Sequence, residues 1–291
     1  MKKILILGGT RYLGLEFIKL LNNSNYQFFV ASRKKIMVNN FFEIDRKCQS
    51  DLDELFKKKQ FDVVVDFINY SNLDSKLLLK SINSQKKVPK LILISTTYTY
   101  GLPTNVKKDS IYSEIDFNPF DSKKDINDRD QVSYSEGKRN MESYCTQNYR
   151  NDKLVILRFP ILLGANDYTK RTQYYTEKIS KSVKINPINI DKKSSYIFTI
   201  EAANSIINFL NNDHHGIYNV TSGNISEKKL IKLYCNYFNI KFDRLVDTNL
   251  DYCVTPFTSN FDFKIDNSKY LSLFPLNIDF EDCLKRELQK I

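Results

Sequence analysis

The sequence predicts an α/β protein with a doubly wound parallel sheet and a smaller C-terminal α/β region. Short apolar runs, which are typical of strands buried on both faces, recur along the first half of the chain. Segments with helical spacing lie between these runs, and a glycine turn follows the first of them. After Gly164 the alternation weakens. We therefore predict one domain over residues 1–164 and a second, interleaved with the first, over residues 165–291.

Each element follows from its local pattern. Apolar or β-branched runs predict strands at residues 4–7, 28–31, 61–68, 91–94 and 154–159. Helical spacing predicts helices at residues 13–21, 51–59, 73–82 and 134–149. Residues 102–133 are polar and too long for an ordinary connection, so we interpret this segment as a lid.

Composition excludes several classes of protein. The chain has 291 residues, of which 42% are hydrophobic, as in a globular protein with a sizeable core. No apolar run approaches the roughly 20 residues that span a membrane, and the N-terminal apolar run is too short for a signal peptide, so we expect a cytoplasmic protein. The five scattered cysteines and the adjacent His214 and His215 indicate neither a disulfide framework nor a metal site.

The net charge of +10 is compatible with nucleic acid, a membrane surface or anionic metabolites as partners. The lysines are spread over the whole chain, and no run of five basic residues occurs. This distribution favours a lysine-rich solvated surface over a nucleic-acid patch.

The glycine turn, in the sequence GGTRYLG, predicts a site for a pyrophosphate. Gly8 permits the tight turn, and Gly14 lets the following helix pack closely against the sheet. The N-terminus of that helix directs backbone N–H groups at the phosphates. We expect Thr10, Tyr12 and Leu13 to contact the cofactor there as well. A strand, a glycine turn and a helix in this order are typical of a Rossmann-type dinucleotide-binding domain.

The glycine turn contains Arg11 at a position where a small residue is expected. The second strand ends in Ser32 and Arg33, where a site specific for NAD has a carboxylate. Two guanidinium groups would clamp a 2′-phosphate, so the pattern favours NADP over NAD. Alternatively, Arg11 lies in solvent. Asp45, near the end of a third strand, either accepts a hydrogen bond from adenine or simply ends that strand.

Tyr134 and Lys138 are one helical turn apart and so share a helix face. A phenol has an ordinary pKa near 10, and a neighbouring ammonium favours its ionised form. Thr96 lies at the carboxyl end of a buried strand, where parallel sheets bind ligands. These three groups predict proton transfer to or from a substrate oxygen, with Thr96 orienting that oxygen and Lys138 also holding the nicotinamide ribose.

The chain resembles the extended short-chain dehydrogenases/reductases of the NAD(P)-dependent epimerase/dehydratase family. The resemblance rests on these segments, in the order of the family: GGTRYLG, IDRKCQSDLDELF, FDVVVDFINYS, ISTTYTYG, YSEGK, LRFPILLG, SSYIFTIEAAN and GIYNVTSGN. It implies catalytic roles for Thr96, Tyr134 and Lys138. It also implies cofactor contacts for Phe67, Ile68 and Pro160, and a homodimer formed by the helix at residues 73–84 and the helix that carries the tyrosine.

Departures from the family pattern reduce the number of activities that we expect of this chain. Relatives that dehydrate sugars have Asp-Glu directly after the threonine, where this chain has Thr97 and Tyr98, so a 4,6-dehydratase is not expected. Ile161 replaces an asparagine that binds nucleotide sugars in many relatives, and Ser194-Ser195 replaces an Arg-Asp pair. Diphosphate contacts are then either missing or rebuilt from basic residues such as Lys170, Arg171, Lys192 and Lys193.

The leading hypothesis is an NADPH-dependent reductase of a keto group on a sugar, most simply a 4-keto-6-deoxy sugar attached to a nucleotide. A reductase must exchange its cofactor and so benefits from NADPH. The alternative is a nucleotide-sugar epimerase, which recycles a tightly held NAD. A second alternative is a non-catalytic RNA- or protein-binding member of the same fold, which the positive charge would suit.

Overall fold

The computed structural model describes residues 1–101, 111–121, 132–275 and 279–291. These residues form two compact units. The first contains the described residues of Met1–Val106, Glu114–Phe159 and Ala202–Val220, and the second those of Lys107–Ser113, Pro160–Glu201 and Thr221–Ile291. Much of the predicted lid, residues 102–110 and 122–131, lies outside the described residues. The predicted division of the chain into a dinucleotide-binding domain over residues 1–164 and a second, interleaved domain over residues 165–291 stays a prediction.

Seven strands of the first unit form one sheet, in which every neighbouring pair is parallel. Numbered along the whole chain, they are β1 (Lys3–Leu7), β2 (Gln27–Ser32), β3 (Phe41–Glu43), β4 (Val63–Asp66), β5 (Lys90–Thr96), β7 (Leu154–Phe159) and β10 (Gly216–Asn219). Their order in the sheet is β10-β7-β5-β4-β1-β2-β3. The predicted doubly wound, Rossmann-type parallel sheet is confirmed.

The strand order reverses between β1 and β4, because the chain runs from β1 outward to β3 and returns on the other side of β1. In such sheets the carboxyl ends of the strands at the reversal border a ligand-binding crevice. Leu7 ends β1 and pairs with Asp66, which ends β4. The residues that follow these two strands therefore meet at this edge.

Helices of the first unit flank the sheet and end within two residues of their predicted positions. They are α1 (Leu13–Asn22), α2 (Gln49–Lys58), α3 (Asn72–Ile82) and α4 (Tyr134–Asn148), and α6 (Thr199–Asn208) crosses the boundary between the units. Because helices cover the sheet, its strands bury side chains on both faces, which explains their continuous apolar runs. Leu78 and Leu79 of α3 belong to this core, and Leu77 packs against it. The homodimer stays a prediction.

The second unit has two small sheets of its own. In the first sheet, β8 (Ile161–Leu163) is parallel to β9 (Lys193–Phe198), which is antiparallel to β11 (Gly223–Ser226). In the second, β6 (Ile111–Tyr112) is parallel to β12 (Lys264–Ile265). The helices of this unit are α5 (Arg171–Ser180), α7 (Glu227–Phe238), α8 (Phe242–Leu245), α9 (Ser268–Leu271) and α10 (Phe280–Leu288). Within the described ranges, every helix is too short or too polar to cross a membrane.

A buried carboxyl group lies among the aromatic side chains of the second unit. Glu227, the first residue of α7, is 2% exposed, and one of its oxygens accepts hydrogen bonds from the hydroxyls of Tyr175 (2.5 Å) and Thr255. Its other oxygen has no hydrogen-bond partner among the described residues. Burial raises the pKa of Glu227, so this carboxyl group keeps its proton to higher pH than an exposed one.

We expect Glu227→Gln to remove a pH-dependent loss of stability. Because burial raises the pKa of Glu227 above 4.5, the folded protein keeps a proton that the unfolded chain has already released. The free energy of unfolding therefore falls as the pH rises from about 4.5 through the raised pKa. Glutamine keeps an acceptor for Tyr175 and cannot ionise, so urea unfolding of the variant should lack this fall.

Glu177→Gln is the matched control, because Glu177 is exposed on α5 of the same unit. It should keep the pH dependence of the wild-type protein. An unchanged fall in the Glu227→Gln variant would contradict the interpretation.

Candidate functional site

The glycine turn follows β1 and is held close to α1. Gly8 and Gly9 have positive φ angles, +78° and +70°, which favour glycine. A Cβ atom on Gly14 would lie 2.2 Å from the Cα atom of Gly9, so a side chain at position 14 would separate the helix from the turn. Gly9 was not among the predicted cofactor contacts, although it directly follows Gly8 in the glycine turn.

The residue after the arginine in this turn has an unusual backbone conformation. Tyr12 has φ +44° and ψ −114°, a conformation that residues other than glycine rarely adopt. The carbonyl of Arg11 accepts the N–H of Gly14 (2.9 Å), and the Arg11 side chain is exposed. Thr10 is partly exposed, whereas Leu13 is buried.

The first turn of α1 has no side-chain cap at Tyr12, so its N-terminus fits an anion such as a phosphate group. Phe67 and Ile68, directly after β4, line the turn. A Cβ on Gly8 would lie 2.5 Å from the Cγ2 of Ile68, and the Phe67 N–H donates to the carbonyl of Leu7 (3.0 Å). The structure thus brings these two predicted cofactor contacts to the glycine turn.

The end of β2 carries no carboxylate. Ser32 is buried, and its hydroxyl donates to the carbonyl of Lys34 (2.8 Å), while Arg33 is exposed. Asp45 lies two residues after β3, where its carboxylate accepts the N–H of Lys47 (2.9 Å). These contacts give Asp45 a local structural role, and its contact with adenine stays a prediction.

Thr96 is the last residue of β5 and is 5% exposed. Its hydroxyl oxygen accepts the N–H of Tyr98 (3.2 Å) and so caps the short 3-10 helix Thr97–Tyr100. Thr97 is fully buried and Tyr98 is exposed. The two residues after Thr96 therefore carry a hydroxyl and a phenol. Relatives that dehydrate sugars carry two carboxyl groups there.

Tyr134 and Lys138 lie one turn apart on α4, as the spacing predicts. The Tyr134 side chain is 56% exposed, whereas Lys138 is 2% exposed. The Lys138 Nζ donates to the backbone carbonyls of Asn69 (2.8 Å) and Ile94 (2.6 Å). It also lies 4.6 Å from the ring centroid of Tyr70 and 6.0 Å from that of Tyr134.

This arrangement places a buried cation beneath two phenol rings. The two ring centroids are 6.2 Å apart. Burial lowers the pKa of Lys138 to about 8, and the carboxylates of Asp66 and Glu142 oppose that shift. An effect of the Lys138 charge on Tyr134 and a contact of Lys138 with a ribose both stay predictions. Tyr70 was not predictable from the sequence, because no spacing rule links it to α4.

Further buried charges surround the ammonium group and were also missed. Arg46 binds both carboxylate oxygens of Asp66 (3.1 and 3.0 Å). Glu142 binds Arg158 (2.6 Å) and accepts the hydroxyl of Ser95 (2.5 Å). Glu142 follows Lys138 by four residues, so the sequence predicts that both lie on the same helix face.

The remaining predicted residues lie in the second unit. Pro160 is buried and directly follows β7. Ser195 donates its hydroxyl to Asn224, and Arg171 contacts Asp167 (3.6 Å) beside Lys170, which is exposed. Roles for these residues, for Ser194 and for Lys192 and Lys193 in binding a cofactor or a diphosphate stay predictions. The described residues contain no group of three His, Cys, Asp or Glu placed to hold a metal ion.

Comparisons with known proteins give a family match and a set of solved structures with a similar fold. A profile of the NAD dependent epimerase/dehydratase family matches residues 4–221. No curated protein matches the sequence. UDP-glucose 4-epimerase from Thermotoga maritima with UDP-glucose is 17% identical over 99% of this chain and 98% of its own, with a TM-score of 0.76. dTDP-glucose 4,6-dehydratase from Bacillus anthracis str. Ames in complex with NAD is 15% identical over 100% and 96%, with a TM-score of 0.75.

At such low identities the likeness to solved structures shows the fold alone. The family profile, in contrast, covers more than half of the chain and spans the glycine turn, Thr96, Tyr134 and Lys138. The resemblance that the sequence motifs indicated is therefore confirmed, and the chain belongs to the NAD dependent epimerase/dehydratase family.

Proposed function

We propose that the protein is an NADPH-dependent reductase that acts on a keto group of a nucleotide-linked sugar, with a 4-keto-6-deoxy sugar as the first substrate to test. The observation that carries the proposal is the exposed phenol of Tyr134 above the buried ammonium of Lys138. Thr96 ends β5, whose Ile94 carbonyl holds that ammonium, so a hydroxyl lies at the same sheet edge.

When bound, the reduced nicotinamide supplies a hydride to the keto carbon. Tyr134 then donates its phenolic proton to the oxygen that becomes the new hydroxyl group. The ammonium of Lys138 stabilises the phenolate that remains, and because Tyr134 is exposed, solvent can return its proton. Thr96 donates a hydrogen bond that orients the keto oxygen.

The charge around the turn supports NADPH. Arg11 and Arg33 are exposed, and Ser32 stands where an NAD site has a carboxylate. An arginine at a helix N-terminus adds its charge to the positive end of the helix dipole, and the two together favour a bound anion. A 2′-phosphate would be such an anion, held by charge-assisted hydrogen bonds.

A nucleotide-sugar epimerase is the second candidate. It is favoured by the likeness to several solved epimerases, among them UDP-N-acetylglucosamine 4-epimerase from Bacillus cereus, which is 17% identical over 99% of this chain and 96% of its own, with a TM-score of 0.72. Two similar structures, a UDP-glucose 4-epimerase and a dTDP-glucose 4,6-dehydratase, are complexes with NAD. An epimerase would interconvert two sugars without net use of cofactor and would retain its cofactor on purification. A reductase would lower the NADPH absorbance in proportion to product.

Tyr134→Phe should lower the rate of keto-sugar reduction by about 100-fold or more, because it removes the proton donor. NADPH affinity, measured by fluorescence titration, should stay within about twofold, since the ring is kept. Tyr252→Phe, at an exposed tyrosine of the second unit, is the control and should keep the wild-type rate. Full activity in the Tyr134→Phe variant would refute the proposed mechanism.

Arg11→Ala and Arg33→Ala should each weaken NADPH binding by about 10- to 100-fold, because each removes a charge-assisted hydrogen bond to the 2′-phosphate. NADH binding should change much less. Lys57→Ala, at an exposed position of α2, controls for general loss of positive charge and should change neither affinity. Equal losses for both cofactors would argue against selection of NADPH by these arginines.

A further inference from the structure

Two exposed phenol rings lie beside one buried ammonium group in the first unit. Tyr70 is 45% exposed and Tyr134 is 56% exposed, whereas Lys138 is 2% exposed. The Nζ atom of Lys138 lies 4.6 Å from the ring centroid of Tyr70 and 6.0 Å from that of Tyr134. The ring of Tyr70 is thus the nearer of the two, at a distance typical of a cation–π contact.

The ammonium group is held from its buried side by two backbone carbonyls. It has three N–H donors, and two of them donate to the carbonyls of Asn69 (2.8 Å) and Ile94 (2.6 Å). Both of these residues are buried, whereas the two tyrosines are exposed. The phenol rings therefore lie on the side of the ammonium that faces solvent.

The backbone around Tyr70 is fixed to two helices. Its N–H donates to the carboxylate of Asp74 on α3 (2.9 Å), and a Cβ atom on Gly137 of α4 would overlap its carbonyl oxygen. The carbonyl of the preceding residue, Asn69, accepts the hydrogen bond from Lys138. The fold itself therefore sets the position of this ring beside the ammonium group.

A second contact between a tyrosine and a lysine involves the same helix and has a different character. The Nζ atom of Lys76 lies 5.7 Å from the ring centroid of Tyr144 on α4, and both of these residues are partly exposed. Water can therefore reach the Lys76 side chain directly. At Tyr70, in contrast, an exposed ring lies against a cation that is almost fully buried.

We propose that Tyr70 is a positioning residue, whose ring covers the solvent side of the Lys138 ammonium and keeps it against the two carbonyls. The face of an aromatic ring carries partial negative charge and so attracts the cation. This role needs the ring of Tyr70 and not its hydroxyl group. The consequence for catalysis, an ammonium fixed near Tyr134, rests on the proposed function. The cover over Lys138 does not.

The test is the rate at which the ammonium protons of Lys138 exchange with water, measured by NMR on protein labelled with 15N at lysine Nζ. At about pH 6.5 the group is charged, because this pH lies below its lowered pKa of about 8. Exposed ammonium groups exchange quickly, so a covered one should give a slowly exchanging signal, which Lys138→Arg removes and so assigns. A wild-type protein without such a signal would contradict the cover.

Tyr70→Leu should speed this exchange by about 10-fold or more, because leucine has no ring to cover the ammonium. Tyr70→Phe keeps the ring and should keep the wild-type rate. Slow exchange in folded Tyr70→Leu, or an equal acceleration in Tyr70→Phe, would overturn the proposal. Tyr70→Ala repeats the test in case the leucine variant does not fold, with the same acceleration expected and the same outcome against the proposal.

Tyr144→Leu is the matched control, because it removes a tyrosine ring beside a lysine from the helix that carries Lys138. It should leave the exchange rate of Lys138 unchanged. Lys90 is an internal reference, since it begins β5 and its Nζ atom donates to the carbonyl of Asn212 (2.8 Å). An equal acceleration of Lys138 in Tyr144→Leu, or of Lys90 in Tyr70→Leu, would indicate general loosening and reject the specific cover.

The rate of keto-sugar reduction separates this inference from the proposed function. In an active reductase, Tyr70→Leu should lower kcat by about 10-fold or more, and Tyr70→Phe should restore it, because a displaced ammonium is no longer fixed near the phenol. Faster exchange with an unchanged kcat would reject the positioning role. Faster exchange in a protein that reduces no keto sugar would support the cover and reject the reductase. Slow exchange in the Tyr70→Leu variant of an active reductase would do the reverse.

Discussion

The buried ammonium of Lys138 connects the elements that build the site. Its two hydrogen bonds reach a carbonyl beyond β4, at Asn69, and one within β5, at Ile94. Because the lysine belongs to α4, these bonds fix that helix against the carboxyl edge of two neighbouring strands. The position of Tyr134, one turn earlier, follows from the position of the ammonium. Displacing this cation would therefore disturb packing and the charge at the phenol together.

The glycine turn shows a second constraint, which concerns the backbone. Arg11 stands in the turn where a small residue is expected, and the residue after it, Tyr12, has a positive φ although it is not a glycine. A non-glycine residue in such a conformation costs about 1–3 kcal/mol, which surrounding contacts must offset. The N–H of Gly14 supplies one contact by donating to the Arg11 carbonyl. The strained turn thus presents a guanidinium group at a helix N-terminus, where an anion would be stabilised.

Local sequence patterns predicted most of the first unit, because its strands are covered on both faces and its helices have one apolar side. The Tyr134–Lys138 pair was also predictable, since both residues belong to one helix. Tyr70 and the Arg46–Asp66 pair were not, because separate elements bring them to Lys138 only after folding. In the second unit, strands of two to six residues give weak patterns. Its pairing of residues 111–112 with residues 264–265 joins distant parts of the chain, which no local pattern indicates.

Reductase and epimerase chemistry need the same phenol, ammonium and hydroxyl, so the choice between them must depend on other properties. One such property is the fate of the proton. An epimerase returns the proton to the oxygen that released it, and its tyrosine needs no contact with solvent during turnover. A reductase consumes one proton in each cycle, and its tyrosine must recover that proton from water. A reductase therefore takes up one proton from water for each sugar that it reduces, whereas an epimerase takes up none, so proton uptake during turnover separates the two activities.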